Sequence, residues 1–444
     1  MRKMSAVKIP HHKNTAGMAS ERVAPPDEVV LPLVFNAHRV TPNEPVVAPG
    51  DHVYVGQLIA VDRDRSTAPL HASVSGTVVS VDEEALLTSG TVRAIRIKSD
   101  GKMEKDPNLK VPEVSSVEEF LQACKDSGVV GLGGAAYPLH AKLNAILKGP
   151  IKTVLINGAE CEPYITCDHR TMLENADYMK KGIELLKQWL KSERFVIGIE
   201  DNKADAIAYL KDFFKDDSAV EVKPLESKYP QGAKQVLLYN ATGIVVKKGE
   251  RLAAYQCIIM NVSTLAKMGE YFTTGMPYVE RTITVDGSAV ANPRNIIIPI
   301  GTSVKYAVEQ CGGFKDEPGR IILGGPMMGK TVDSLDAPIA KATNAVLAIA
   351  EKDCLELNAT PCIHCGRCVE HCPLNLNPMS FSNAMELEDE QLRAKMLTEG
   401  QINVCMDCGT CAYVCPAHRP LTKTNSAAKS WLKKYNAAQE GGQK

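Results

Sequence analysis

The chain has 444 residues, in which 51 lysines and arginines nearly cancel 52 aspartates and glutamates. That length accommodates roughly three domains, and a net charge of -1 gives no overall electrostatic attraction to nucleic acid or to an anionic membrane surface. No apolar run approaches the ~20 residues needed to span a bilayer, and the basic start MRKMSAVKIPHHKNTAG leads into no signal-peptide core, so neither a membrane span nor secretion is expected.

Residues 1–114 read as β-rich. Between Val29 and Ile97, short apolar strands alternate with turns, as in VVAPGDHVYVGQLIAV and APLHASVSGTVVSVDEE. The Pro-Gly-Asp turn, the Val-x-Val-Gly-Gln strand and the later Ser-Gly-Thr-Val-Val strand resemble the barrel-sandwich hybrid of biotinyl and lipoyl domains. RDRSTAPLHAS stands where a carrier lysine would sit at the hairpin tip, which favours a structural or docking module.

Residues 115–270 alternate strand and helix patterns: TVLING, RTMLENADYMKKGIELLKQWLK, RFVIGIE, DNKADAIAYLKDFFK and VEVKPL. Repeated β-α units predict a Rossmann-like parallel sheet covered by helices, with ligands met at the carboxyl ends of the strands. Residues 271–350, from RTITVDG to beyond RIILGGPMMGK, read as a β-grasp-like domain. Residues 351–444 are helical and rich in cysteine, ending in the polar tail AAQEGGQK. The predicted fold class is therefore α/β multidomain.

Two stretches of the α/β region carry candidate binding residues. In GVVGLGGAAYPLHAKL, Gly131, Gly133 and Gly134 remove side chains where backbone N–H groups can approach a phosphate or a ring system, and Lys142 follows two helical turns later. The bland alternative is a tight turn before a helix. In TVLINGAECEPYITCDHR, an apolar strand ends at Asn157 and delivers Glu160 and Glu162 in quick succession. Here the alternative is an ordinary acidic surface turn.

Fourteen cysteines without an export signal argue for metal binding or redox work rather than disulfides. Six are scattered (Cys124, Cys161, Cys167, Cys257, Cys311 and Cys354); five read as small buried residues, and Cys161, inside the acidic turn, is read as packing rather than catalysis. The other eight form two boxes. Cys362, Cys365, Cys368 and Cys372-Pro373 follow C-x2-C-x2-C-x3-C-P, and Cys405, Cys408, Cys411 and Cys415-Pro416 repeat it. This is the run of two-cluster bacterial ferredoxins, whose fourth cysteine ligates the other cluster. One [4Fe–4S] cluster would then take Cys362, Cys365, Cys368 and Cys415, and the second Cys405, Cys408, Cys411 and Cys372. Zinc is the competing reading, but it pairs two separated knuckles around one ion. His364 and His371 are bystanders, since four thiolates complete each cube.

The segments G-L-G-G-A-A-Y-P and N-G-A-E-C-E-P resemble the flavin- and nicotinamide-binding core of the flavoprotein subunit of respiratory complex I. Together with Y-P-Q-G, R-T-I-T-V-D-G, G-G-P-M-M-G and the paired boxes, in this order, they more closely resemble the C subunit of the Rnf complex. The resemblance implies FMN contacted by Gly131, Gly133, Gly134, Lys142, Asn157 and Glu160, with Asn261 and Thr264 closing its far side, and NADH facing Tyr137 and Glu162. No catalytic acid, base or nucleophile is implied. The family's S/T-G-A-T mark of covalent flavin is absent, so the FMN is expected to be non-covalent.

The implied function is electron transfer between NAD(H) and one-electron carriers in an ion-translocating ferredoxin:NAD+ oxidoreductase. The implied location is peripheral, on the cytoplasmic side of the cell membrane. Its partners would be membrane subunits and a ferredoxin-like electron-carrying subunit, with no nucleic acid. Ala136, Tyr137 and Leu139 depart from the family's Gly, Phe and Thr, Lys234 lacks the expected preceding glutamate, and KIPHHKNTAG lacks the G-G-I-H-P-P opening. These departures keep open a soluble paralogue that delivers NADH electrons to a cytoplasmic reductase such as proline reductase.

Overall fold

The computed structural model describes residues 6–34, 42–62, 67–87, 90–134, 136–146, 149–247, 250–355 and 357–441. They fall into two compact units. The larger combines His12–Leu225 with Leu252–Cys354; the smaller combines the chain up to His11 with Glu226–Arg251 and the chain from Leu355 onward.

In the larger unit, an antiparallel sheet orders Glu28–Pro32, Gly90–Ser99, Gly76–Leu87 and His52–Val53, beside a three-stranded sheet of Glu44–Pro45, Leu58–Val61 and Leu70–His71. Alternation along the strands turns Val29, Leu31, Ile95 and Ile97 inward, where each is fully buried. Their core is continuous with that of the α/β layer, through Phe120, Leu139 and Ile156.

The α/β layer is a parallel sheet in the order Val220–Leu225, Arg194–Glu200, Thr153–Gly158, Cys257–Asn261. Its inner strands are unbroken apolar runs because helices cover both faces; Val154, Leu155, Ile156, Phe195, Val196 and Ile197 are all fully buried. The chain builds outward from Thr153–Gly158 on one side, then returns to place Cys257–Asn261 on the other. The direction of winding therefore reverses between these two strands, which is where such sheets hold ligands. Asn157 and Asn261 are register partners at their carboxyl ends.

Helices Ala176–Leu190 and Val262–Thr274 pack backbone to backbone over this sheet. A Cβ on Gly269 would stand 1.9 Å from the Tyr178 carbonyl oxygen, and one on Gly182 would stand 2.7 Å from that of Leu265. Only glycine permits that approach, so the second helix, capped by Asn261 at the end of its strand, is held at a fixed distance from the first.

A six-stranded mixed sheet completes the unit, in the order Glu21–Arg22, Arg294–Pro299, Glu280–Asp286, Ala345–Ala350, Pro318–Leu323, Lys330–Val332. One edge is formed by Glu21–Arg22, so the N-terminal stretch feeds this sheet as well as the barrel.

In the smaller unit, helices Pro378–Met385, Glu390–Glu399 and Leu421–Gly441 enclose Phe381, Leu397, Ile402, Ala428 and Leu432. Asn377 and Asp389 cap the first two by accepting from the Ser380 and Leu392 N–H groups. Among the described residues no helix is long and apolar enough to cross a membrane.

Candidate functional site

The glycine loop closes on itself. The Gly131 N–H donates to the Tyr137 carbonyl (2.8 Å) and the Ala136 N–H to the Gly131 carbonyl (3.1 Å). Leu132 is the anchor: buried, its N–H donates to the Thr264 hydroxyl (2.8 Å) and its carbonyl accepts from the Arg281 guanidinium (2.8 Å). Arg281 is itself buried and bonds the Lys341 carbonyl with its other arm. With Leu132 held on both sides, Gly133 and Gly134 stand exposed; a Cβ on Gly134 would meet nothing within 4 Å, and one on Gly133 would have Asn261 as its nearest neighbour, at 3.5 Å. Tyr137 is 38% exposed beside them.

Several side chains named from sequence already have partners here. Asn261 accepts from the Ser263 and Thr264 N–H groups and donates to Asp168 (2.6 Å), while the Thr264 hydroxyl holds the loop. Asn157 accepts from the Ala159 N–H at 3.2 Å. Lys142 donates to the Ile259 carbonyl.

The acidic turn is built on cations that the sequence reading missed. Lys13 donates to the carbonyls of Glu160 (2.8 Å), Glu162 (2.8 Å) and Ile165 (2.5 Å), and buried Lys203 donates to that of Ala159 (2.7 Å). His12 stacks on Tyr164 with ring centroids 4.9 Å apart. Glu160, in the left-handed region at φ 49°, turns its carboxylate onto the Asp168 and His169 N–H groups at the start of helix Cys167–Glu174. Burial pushes Glu160 up to about 7 against the opposing pull of Lys13. Burial also raises Asp168, countered by its bonds from Ser263 (2.5 Å) and Asn261. Lys13 is lowered, burial outweighing the pull of Glu160.

Glu162 faces the G-G-P-M-M-G loop, accepting from the Met327 N–H at 3.0 Å. A Cβ on Gly325 would lie 2.3 Å from the Glu162 carboxylate oxygen and 2.6 Å from its Cβ, so no side chain fits between them. Gly325→Ala is expected to displace Glu162 and to destabilise the fold by about 1–3 kcal/mol, as overpacking does; thermal denaturation measures it.

In the smaller unit Cys372 lines one cavity with Cys405, Cys408 and Cys411. Burial pushes Cys405 and Cys411 up to about 12, so as free thiols they are protonated, and a metal bound there would have to displace those protons. Cys368 is raised by burial first and then by neighbouring thiols, Cys415 ahead of Cys365. Cys372 thus lies with the three leading cysteines of the second box, and Cys415 lies near Cys368 of the first.

An open glycine loop at a switch point and a buttressed acidic turn, joined in one chain to two four-cysteine boxes, define a flavo-iron–sulfur electron-transfer protein. Family models agree along the chain: an RnfC barrel sandwich hybrid domain over residues 3–102, a Nuo51 FMN-binding domain over 124–270, an SLBB domain over 282–331 and a 4Fe-4S dicluster domain over 361–418.

Similar proteins include the C subunit of the proton-translocating ferredoxin:NAD(+) oxidoreductase complex of Clostridium ljungdahlii, 39% identical over 83% of this chain and 81% of the relative. Its counterpart in the Na(+)-translocating complex of Acetobacterium woodii is 38% identical over 80% of this chain and 81% of its own length. The C subunit of the ion-translocating oxidoreductase complex of Rhodobacter capsulatus is 35% identical, over 87% and 75%. The chain belongs to the family of Rnf complex C subunits and is an oxidoreductase subunit with FMN and iron–sulfur domains.

Proposed function

We propose that this chain is the peripheral NAD(H)-binding subunit of an Rnf-type complex, on the cytoplasmic side of the membrane, passing electrons between NAD(H) and a ferredoxin-like partner subunit. The observation that carries the reading is the glycine loop, pinned at Leu132 and bare at Gly133 and Gly134, at the reversal of the parallel sheet.

When bound, FMN supplies the exchange between a two-electron hydride donor and one-electron acceptors. The chain's own residues do the positioning. Gly131, Gly133 and Gly134 admit the ring, Lys142 and loop N–H groups hold the phosphate, and Asn157, Glu160, Asn261 and Thr264 shape the floor. Tyr137 packs against the nucleotide, with Glu162 held toward it by the Met327 N–H. Cys362, Cys365, Cys368 and Cys415 hold one [4Fe–4S] cluster; Cys405, Cys408, Cys411 and Cys372 hold the other.

Gly133→Val tests the reading. A Cβ at this position has Asn261 as its nearest neighbour, at an ordinary contact distance of 3.5 Å, so the fold should persist while the ring's approach is blocked. The purified variant should retain less than about a tenth of the wild-type FMN and of its NADH:ferricyanide activity, a loss worth more than ~1.4 kcal/mol of binding. Full FMN occupancy with undiminished turnover would refute the assignment.

A further inference from the structure

The motif Tyr229-Pro230-Gln231-Gly232 lies within the span matched by the FMN-binding family model, yet Glu226–Arg251 belongs to the same compact unit as the cysteine boxes. Tyr229 is 1% exposed, and its backbone exchanges two hydrogen bonds with Val7, each 2.8 Å. Its hydroxyl donates to the carbonyl of Cys408 at 2.7 Å. Cys408, the second cysteine of its box, is 8% exposed.

The two boxes make an internal comparison, because their backbones match. His364 and Asp407 both have φ 55°, and the following glycines, Gly366 and Gly409, have φ 75° and 82°. Their surroundings differ. Around the second box, Lys429 donates to the Cys405 carbonyl at 3.1 Å and pairs with Asp407, and the Thr410 hydroxyl lies 3.4 Å from the Cys408 sulfur. At the first box, Cys365 is exposed, and the His364 N–H stands 3.4 Å from the Cys362 sulfur. Among the described residues no side-chain donor reaches a cysteine carbonyl of the first box.

We infer that Tyr229 is a potential-setting residue for the cluster held by Cys405, Cys408, Cys411 and Cys372, its hydroxyl dipole raising that cluster's reduction potential while the first cluster is left to solvent. The inference rests on the proposed ligand sets. Reduction takes a [4Fe–4S]2+ cube to [4Fe–4S]+ by one electron and no other change, so the buried site gains one negative charge. Burial opposes that charge, and a hydrogen-bond donor aimed at the cluster's peptide shell favours it; such outer contacts are among the protein's means of setting these potentials. The charge of Lys429 is already answered by Asp407, whereas the neutral tyrosine hydroxyl contributes a dipole alone. A segment of the flavin-domain sequence is thereby given a second task, setting the potential of one of the two clusters.

The test is an EPR-monitored redox titration of the full chain with both clusters loaded. Tyr229→Phe keeps the buried ring and removes only the hydroxyl, so one couple should move to more negative potential while the other couple and the FMN content stay at wild-type values. Tyr229→3-fluorotyrosine, a stronger donor, should move the same couple the opposite way, which a packing defect would not. Two couples unmoved in both variants, or both couples moving together, would overturn the inference. Failure of the ligand reading would show separately, as fewer than two cubes by iron and sulfide analysis of the unaltered protein.

Discussion

Cys372→Ala is expected to damage the cluster of the second box, although Cys372 belongs to the first. Its sulfur lines the cavity of Cys405, Cys408 and Cys411 and accepts the Leu376 N–H at 3.3 Å. The Cys-Pro that ends each run of three turns the chain away from its own binding loop toward the neighbouring site. Removing that thiolate leaves three ligands, enough for a three-iron species, and its EPR signal should replace one of the two [4Fe–4S] signals. Cys415→Ala should do the same to the other cluster, because Cys415 neighbours Cys368. The pair of variants decides the matter: two different signals lost supports the crossover, and the same signal lost in both rules it out. Either variant should also lower one-electron transfer through the chain far more than dye reduction at the flavin.

Lys13→Met is expected to open the acidic turn. One ammonium there collects three carbonyls from residues 160–165 and lies against Glu160, whose ionisation it favours. Methionine matches its length but leaves those carbonyls without their donor and the carboxylate without its nearest cation, a loss of about 1–3 kcal/mol for part-buried partners. Amide hydrogen exchange across Ala159–Thr166 should accelerate accordingly, and FMN affinity should fall at least ~10-fold, or ~1.4 kcal/mol. The effect should also depend on pH. In the wild type Glu160 is raised from about 4.5 to about 7, chiefly by burial, so its contribution to stability is full below about 4.5 and is lost as pH rises through about 7. Without Lys13 the carboxyl should titrate higher still, carrying that window upward. Unchanged exchange and an unchanged pH profile would show that Lys13 is incidental to the turn.

The elements and much of the chemistry were legible in the residues themselves. Apolar runs at TVLING and RFVIGIE marked buried parallel strands because helices cover both faces, and eight cysteines at ferredoxin spacing announced two cubes because that spacing is local covalent geometry. The glycine loop was readable for the same reason, being a conformational requirement expressed in consecutive residues. What holds these pieces in place came from contacts far apart in the chain. Lys13 reaches Glu160 across 147 residues, Arg281 reaches Leu132 across 149, and Tyr229 reaches Cys408 across 179. Within KIPHHKNTAG, noted in sequence for a missing signature, His12 and Lys13 hold the acidic turn. Asn261 and Thr264, read from sequence as flavin contacts, are seen capping a helix and anchoring the loop. Periodicity reports which side of an element meets apolar surroundings, since burial recurs with the helical or strand repeat. A buried lysine, arginine or tyrosine that pairs once with a distant carbonyl has no repeat to report, and in sequence it is indistinguishable from the same residue on a solvated face.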